Sequence, residues 1–258
     1  MARSVDKLEV VKDAIEAEGG EAAIHACDLA DVDDIERMGE EVLAEHGHVD
    51  ILVNNAGRSI RRSVALSYDR FHDYERTMQL NYFGSLKLIL TLLPQMRERK
   101  SGHIINISSI GVQTNTPRFS AYVASKAALD AFSRTIASEI IDDRVHITSI
   151  YMPLVRTAMI APTKMYDAFP TMTPEEAAEM ITGAMINKPK KVATKLGNFG
   201  ELLYSVYPKA SDAVLNQGYK LFPESKAAKG EIEGEGTPDK AVSTEAVAFA
   251  HLLRGVHW

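Results

Sequence analysis

Apolar positions along the chain switch between helical spacing and short continuous runs. Leu8, Val11, Ala14 and Ile15 fall on one face of a helix that Gly19-Gly20 stops. AAIHACDLAD (22–31) reads as a short buried strand. DVDDIERMGEEVLAEHG (31–47) reads as a helix with Asp near its start and Gly47 at its end, and VDILVNNAG (49–57) as a strand running into a turn. A long helix is predicted from about Asp73 to Arg99, then a strand at GHIINISSIG (102–111), a helix around Tyr122, and a strand at VHITSIYMP (145–153) closed by Pro153. TPEEAAEMITGAMI (173–186) reads as a helix with Pro174 in its first turn, and KKVAT as one more strand. This alternation predicts an α/β fold on a parallel sheet.

Beyond Leu196 the regularity weakens. Residues 196–223 carry apolar and aromatic side chains at roughly helical spacing, ESKAAKGEIEGEGTPDKAVSTEA reads as a mobile linker, and AVAFAHLLRG as a short closing helix. The chain therefore divides into a sheet-forming domain, 1–195, and a C-terminal helical extension and tail, 196–258.

With 258 residues, 45% of them hydrophobic, the chain is long enough for one sizeable core. A formal charge of −6, with no long Lys/Arg run, argues against a nucleic-acid or anionic-membrane surface. The single cysteine, Cys27, forms no internal disulfide and fits a reducing, cytoplasmic setting. No apolar run is long enough to span a bilayer.

In open α/β sheets, ligands bind outside the carboxyl ends of the strands. Asn54-Asn55, Ser108-Ser109 and the Pro153 loop sit at such ends. Tyr122 and Lys126 are four residues apart, hence neighbours on one helix face. Ser109 could hydrogen-bond a substrate oxygen, Tyr122 could protonate it as charge builds, and Lys126 could lower the phenol's pKa. A Tyr and a Lys at this spacing also occur as plain amphipathic surface residues, so the pair gains meaning only from its surroundings.

NNAG at 54–57, Asn81 in LNYFG, NISS ending at Ser109, and YVASK at 122–126 resemble the short-chain dehydrogenase/reductase family over most of the chain. The resemblance implies a Rossmann-like, doubly wound parallel sheet and a catalytic tetrad of Asn81, Ser109, Tyr122 and Lys126, with Asn81 holding a water that links Lys126 to solvent. Ser109 is preferred to Ser108 because the family's serine lies thirteen residues before its tyrosine. By the same resemblance Asn54, Ala56 and Gly57 border the cofactor, Asp28 touches the adenine, Lys126 also holds the nicotinamide ribose, and Pro153, Val155 and Thr157 of YMPLVRT lie along the nicotinamide.

Longer stretches, NNAGRSIRRS, SYDRFHDYERTMQLNYFGS, NISSIGVQTNTPRFSAYVASKAALDAFSR, YMPLVRTAMIAPTK and the closing HW, are similar to bacterial aldehyde-forming long-chain fatty acyl-CoA reductases. This implies reduction of a fatty acyl-CoA thioester to an aldehyde. Acyl-enzyme chemistry needs an activated cysteine, and Cys27 lies at the adenine end, away from Tyr122, where it reads as a small buried hydrophobe. Arg58, Arg61 and Arg62 fit CoA phosphates or a charged surface loop. His72 and His103 show no metal-ligand grouping, and no metal is expected. The apolar stretch 199–222 fits an acyl tunnel, a subunit contact, a peripheral membrane contact or plain packing.

The chain departs from the family pattern at its start. The first strand, the Gly-rich turn over the pyrophosphate, the first helix and the second strand are absent from the sequence, and Met1 stands where the second strand ends. The expectation is an N-terminally truncated reading frame whose strands near Asp28 and Asn54 border an unfilled slot. Arg3 is placed to pair with a 2′-phosphate, which suggests NADPH, or is a frayed terminal residue. Three functions follow: an NADPH-dependent fatty acyl-CoA reductase; another reductase of this family acting on a 3-oxoacyl thioester, ketone or alcohol; or a non-catalytic remnant that borrows a nucleotide site from another chain. The family's habit implies a homo-oligomer formed through the long Asp73 and Tyr122 helices.

Overall fold

A computed structural model of the chain describes residues 1–157, 160, 166, 171–222, 224 and 226–229. The predicted 230–258 tail, with most of the linker and the closing helix, lies outside the described residues.

The centre is a parallel sheet of four strands in the order β1 (Ile51–Asn54), β2 (Gly102–Ser109), β3 (Val145–Met152) and β4 (Lys191–Ala193). Strand β2 is buried along its whole length, because it pairs with β1 on one side and β3 on the other. Its side chains alternate between two cores, as the two-residue repeat of a strand requires. Ile104 joins Leu52, Ile147 and Leu129 on one face, beneath α2 (Val32–His46), α4 (Ser85–Glu98) and α6 (Ser120–Ile136). Ile105 and Ile107 join Ile150 and Ala184 of α7 (Pro174–Asn187) on the other. Helices on both faces make the sheet doubly wound.

Local chemistry sets the helix ends. Asp31 caps α2 by accepting from the backbone N–H groups of Asp33 and Asp34, and Gly47 ends it at φ 77°. Thr173 and Glu176 form a reciprocal capping box that starts α7, with Pro174 in its first turn. Residues 196–222 form α8 (Lys195–Val206) and α9 (Pro208–Leu221). Among the described residues no helix is long and apolar enough to cross a membrane.

Three expectations change. The stretch 22–31 is no strand: its one ladder contact is a bridge between Ala2 and Ala26, where the Cys27 N–H donates to the Ala2 carbonyl at 3.1 Å. A strand needs a partner along its length, and the described residues give this segment one position. For the same reason α1 (Val5–Ala17) forms as predicted but buries none of its residues, and Val11 and Ile15 stay exposed. The long 71–98 helix is continuous in direction but changes type: α3 (Phe71–Met78) passes into a π-helical turn, Gln79–Gly84, before α4. Such turns insert an extra residue per turn and concentrate at functional sites.

Candidate active site

The π turn carries Asn81. Its side chain is fully buried and makes three hydrogen bonds: Oδ1 accepts from the Arg58 N–H at 2.9 Å, and Nδ2 donates to the Arg58 carbonyl and to Ser125 Oγ, each at 2.9 Å. The π turn aims Asn81 at the loop after β1 and at Ser125 on α6. Ser125 Oγ in turn donates to the Tyr122 carbonyl, so the α6 backbone is tied to Asn81.

Lys126 lies one turn after Tyr122 and is 4% exposed. Its ammonium donates to the Ile107 carbonyl of β2 at 2.7 Å. Burial alone lowers its pKa from 10.5 to about 8. Gly57 closes the space above it: a Cβ there would lie 3.2 Å from Asn81 Oδ1 and 3.3 Å from Lys126 Nζ. Gly57, Asn81 and Lys126 thus converge on one point at the carboxyl end of β1.

Ser109 is the last residue of β2 and the N-cap of the short helix α5 (Ile110–Thr114), where its Oγ accepts from the Gly111 N–H at 3.1 Å. The same side chain lies beside the Tyr122 phenol. Burial raises the phenol's pKa and Ser109 opposes the rise. The Lys126 ammonium is directed to the Ile107 carbonyl. Phe119 packs edge-on against the Tyr122 ring, with centroids 6.3 Å apart. Ser108, on the preceding position, has a buried Oγ with no hydrogen-bond partner.

Strand-end asparagines line the next crevice. Asn54 Nδ2 donates to Asn106 Oδ1 at 2.8 Å, and Asn106 Nδ2 donates to Ser133 Oγ at 2.8 Å. This leaves Asn54 Oδ1 buried and unpartnered at the mouth of the sheet. Ala56 is exposed and Gly57 half-buried beside it. Across the sheet, Pro153 and Val155 follow β3 half-buried, Val155 bridging to Met172, and Thr157 is exposed. On the far rim the Arg3 guanidinium lies 3.8 Å from the Asp28 carboxylate, with the Arg3 side chain 76% exposed. The structure therefore gathers Asn81, Ser109, Tyr122 and Lys126 with Gly57 in one place, and Arg3 with Asp28 in another.

Other candidates sort by burial. Cys27 is buried and its thiol is pushed up to about 11, chiefly by burial, so it is not a thiolate near neutral pH. Arg62 is an inner ion-pair partner of the buried Asp73, at 3.3 Å, and Arg61 faces Tyr166. His72 sits half-exposed 3.4 Å from Asp73. His103 is buried in β2, where its Nε2 and Thr148 Oγ1 are 2.9 Å apart. The Thr148 hydroxyl gives its proton to the Pro189 carbonyl, so His103 carries its proton on Nε2. Burial lowers its pKa to about 4.

One contact of the site escapes sequence reasoning. Gln113, buried in α5, donates from Nε2 to Glu201 Oε2 at 2.9 Å and to Asn198 Oδ1 at 3.3 Å, both on α8. Lys191 of β4 holds the same Glu201 oxygen at 2.5 Å. The extension beyond residue 195 is thereby bonded to the helix that Ser109 caps, through pairs 85 and 88 residues apart that no local pattern reveals.

A Ser beside a Tyr, a buried Lys one turn on, and a buried Asn, all at the carboxyl end of a doubly wound parallel sheet, define a nucleotide-dependent oxidoreductase type of site. The chain belongs to the short chain dehydrogenase family, whose sequence profile matches residues 1–166. It is 53% identical to a fatty acyl-CoA reductase of Acinetobacter baylyi over 258 residues, all of this chain and 85% of that protein. A fatty acyl-CoA reductase of Mycobacterium tuberculosis is 46% identical over 218 residues, 84% of this chain and 74% of its own. Among solved structures, a short-chain dehydrogenase from Streptomyces avermitilis superposes with a TM-score of 0.66 at 28% identity, covering 83% of this chain and 85% of that one. A metagenomic short-chain oxidoreductase in complex with NADP gives 0.55 at 35% identity, covering 58% and 67%.

Proposed function

We propose that the protein reduces a fatty acyl-CoA thioester to a fatty aldehyde with NADPH. The observation that carries the reading is the placing of Ser109 beside Tyr122, one turn from the buried Lys126, in a chain 53% identical to a fatty acyl-CoA reductase. The residues present fit a nicotinamide nucleotide. Lys126 has further N–H donors beyond its bond to Ile107, Asn54 Oδ1 is an open acceptor, Gly57 leaves room beside Lys126, and Arg3 offers an exposed guanidinium for a 2′-phosphate.

When bound, NADPH supplies the hydride that adds to the thioester carbon. Ser109 and Tyr122 hold the carbonyl oxygen, and Tyr122 gives its proton to that oxygen as negative charge builds there. A raised phenol pKa serves this role, because the group must be neutral when substrate arrives. The hemithioacetal then collapses: the phenolate takes its proton back as the C–S bond breaks, and the departing thiolate takes a proton from water. Lys126 and Asn81 set the position of α6 and supply a protonated group beside the phenol. Pro153, Val155 and Thr157 would hold the nicotinamide end, Asp28 and Arg3 the adenosine end, and Asn54, Ala56 and Gly57 would border the cofactor between them. The exposed Phe71, Phe83 and Leu90 along residues 71–98 support a homo-oligomer.

The test is free thiol. The protein as its own cell makes it, given a long-chain acyl-CoA and NADPH, should release one CoA thiol for each NADPH oxidised, with aldehyde as the other product. NADPH oxidation of a 3-oxoacyl thioester without thiol release would assign the chain to ketone reduction instead.

A further inference from the structure

Three ligand-type side chains converge outside the candidate active site. His25 lies in the 18–31 segment, while Glu45 and His46 end α2. One nitrogen or oxygen from each lies within 4.8 Å of the others. His25 Nε2 is 3.8 Å from Glu45 Oε2, His46 Nε2 is 3.6 Å from Glu45 Oε1, and the two imidazoles meet edge to face with centroids 6.0 Å apart.

These separations are too long for hydrogen bonds, which close to about 2.7–3.2 Å. They are near the spacing of about 3.4 Å between two ligand atoms each about 2.1 Å from a tetrahedral cation. His25 Nε2 is buried and has no hydrogen-bond partner, so a good donor-acceptor group is held out of water and aimed into the cluster. Glu45 and His46 are the last two residues of α2, and a helix C-terminus favours positive charge.

We propose that His25, Glu45 and His46 bind one divalent transition cation of the zinc class. Two imidazoles and a carboxylate match Zn²⁺, Co²⁺ or Ni²⁺, whereas Mg²⁺ and Ca²⁺ want oxygen ligands throughout. The ion would add a further tie between the 18–31 segment and α2, beside the Asp28 N–H to Asp34 Oδ2 and Arg37 to Ala26 carbonyl hydrogen bonds. Glu45 and His46 are half-exposed, which gives the ion a path in.

The experiment uses the full chain without a histidine tag, freed of metal with a chelator. Titration with ZnCl₂ by calorimetry should give one saturable site per chain, Co²⁺ should give the intense visible bands of tetrahedral coordination, and Zn²⁺ should raise the thermal midpoint by a few degrees. His46→Ala and Glu45→Gln, both at partly exposed positions away from the core, should each weaken Zn²⁺ at least about tenfold, as should His25→Ala. Millimolar Mg²⁺ should not compete. No saturable uptake, or uptake that survives both His46→Ala and Glu45→Gln unchanged, overturns the assignment. The titration is independent of the proposed reductase activity, so an inactive protein that binds Zn²⁺ through these residues still supports it.

Discussion

The Tyr122 side and the Arg3 side of the same sheet are built in opposite ways. Around Tyr122 every element is held at least twice: β2 is paired on both edges, Asn81 makes three hydrogen bonds, and α5 is bonded to α8 through Gln113. Around Arg3, among the described residues, a single bridge joins Ala2 to Ala26, α1 buries no residue, and Arg3 meets Asp28 between two exposed side chains, although Cys27 and Leu29 reach the core and Asp28 is hydrogen-bonded to Asp34. Positional precision is thus concentrated where the proposed reaction places its proton transfer, and the rim proposed to meet the adenosine end of a nucleotide has fewer ties. The difference also has an energetic side, since the well-packed region is where unfavourable burial is stored. The Lys126 ammonium sits in it at a cost of about 3 kcal/mol, by the size of its pKa drop.

Lys126→Met should therefore separate function from stability most strongly. Turnover should fall by about 10³-fold or more, while the folded state gains about 1–2 kcal/mol in urea titrations. The desolvation penalty vanishes, and only the Ile107 carbonyl loses a donor. In the wild type the same burial makes stability rise from about pH 8 to 10.5, where the unfolded chain keeps a proton that the folded one has shed. A variant that is both inactive and destabilised would contradict this picture.

Gly84→Ala probes the join between the two regions. Gly84 ends the π turn, and a Cβ there would lie 2.2 Å from the Leu29 backbone carbonyl, which has no flexible end to swing away. A loss of about 3 kcal/mol is expected, with the 22–31 segment released first, as hydrogen exchange would show. Wild-type stability in this variant would mean that the rim is not docked on the π turn.

His103, near the start of β2, should give the fold an acid limit of about 2–3 kcal/mol. Its pKa is depressed to about 4, so the folded state resists the proton that an unfolded imidazole takes at 6.5. Stability present above pH 6.5 is lost as pH falls towards 4. His103→Gln, which keeps a donor for Thr148, should flatten that limb of the pH–stability curve.

How much of this was legible in the sequence depends on distance along the chain. The strands of the sheet, the capped helices and the Tyr122–Lys126 face follow from local period and cap chemistry, and they stand where Ile104, Asp31 and Thr173 place them. The 22–31 segment carries a strand's composition, yet pairing is a property of two segments, and Ala26 meets only Ala2. The π turn at Asn81 is invisible because its apolar spacing continues that of the flanking helices. Gln113 to Glu201, and His25 to Glu45, are contacts of the fold alone.

The smallest effect expected is at the rim. Arg3→Ala should weaken NADPH about tenfold and leave NADH unchanged, because only the 2′-phosphate gives the exposed guanidinium a charged partner. Equal losses for both cofactors would remove the argument for NADPH.

Tyr122→Phe tests the central claim most directly, measured as acyl-CoA turnover beside NADPH affinity in the same preparation. The substitution keeps the ring against Phe119 and removes only the hydroxyl beside Ser109. The account predicts turnover reduced by about 10³-fold or more, with NADPH affinity within about twofold of wild type. Near-native turnover in the variant would contradict it, because the proton would then come from a group other than Tyr122.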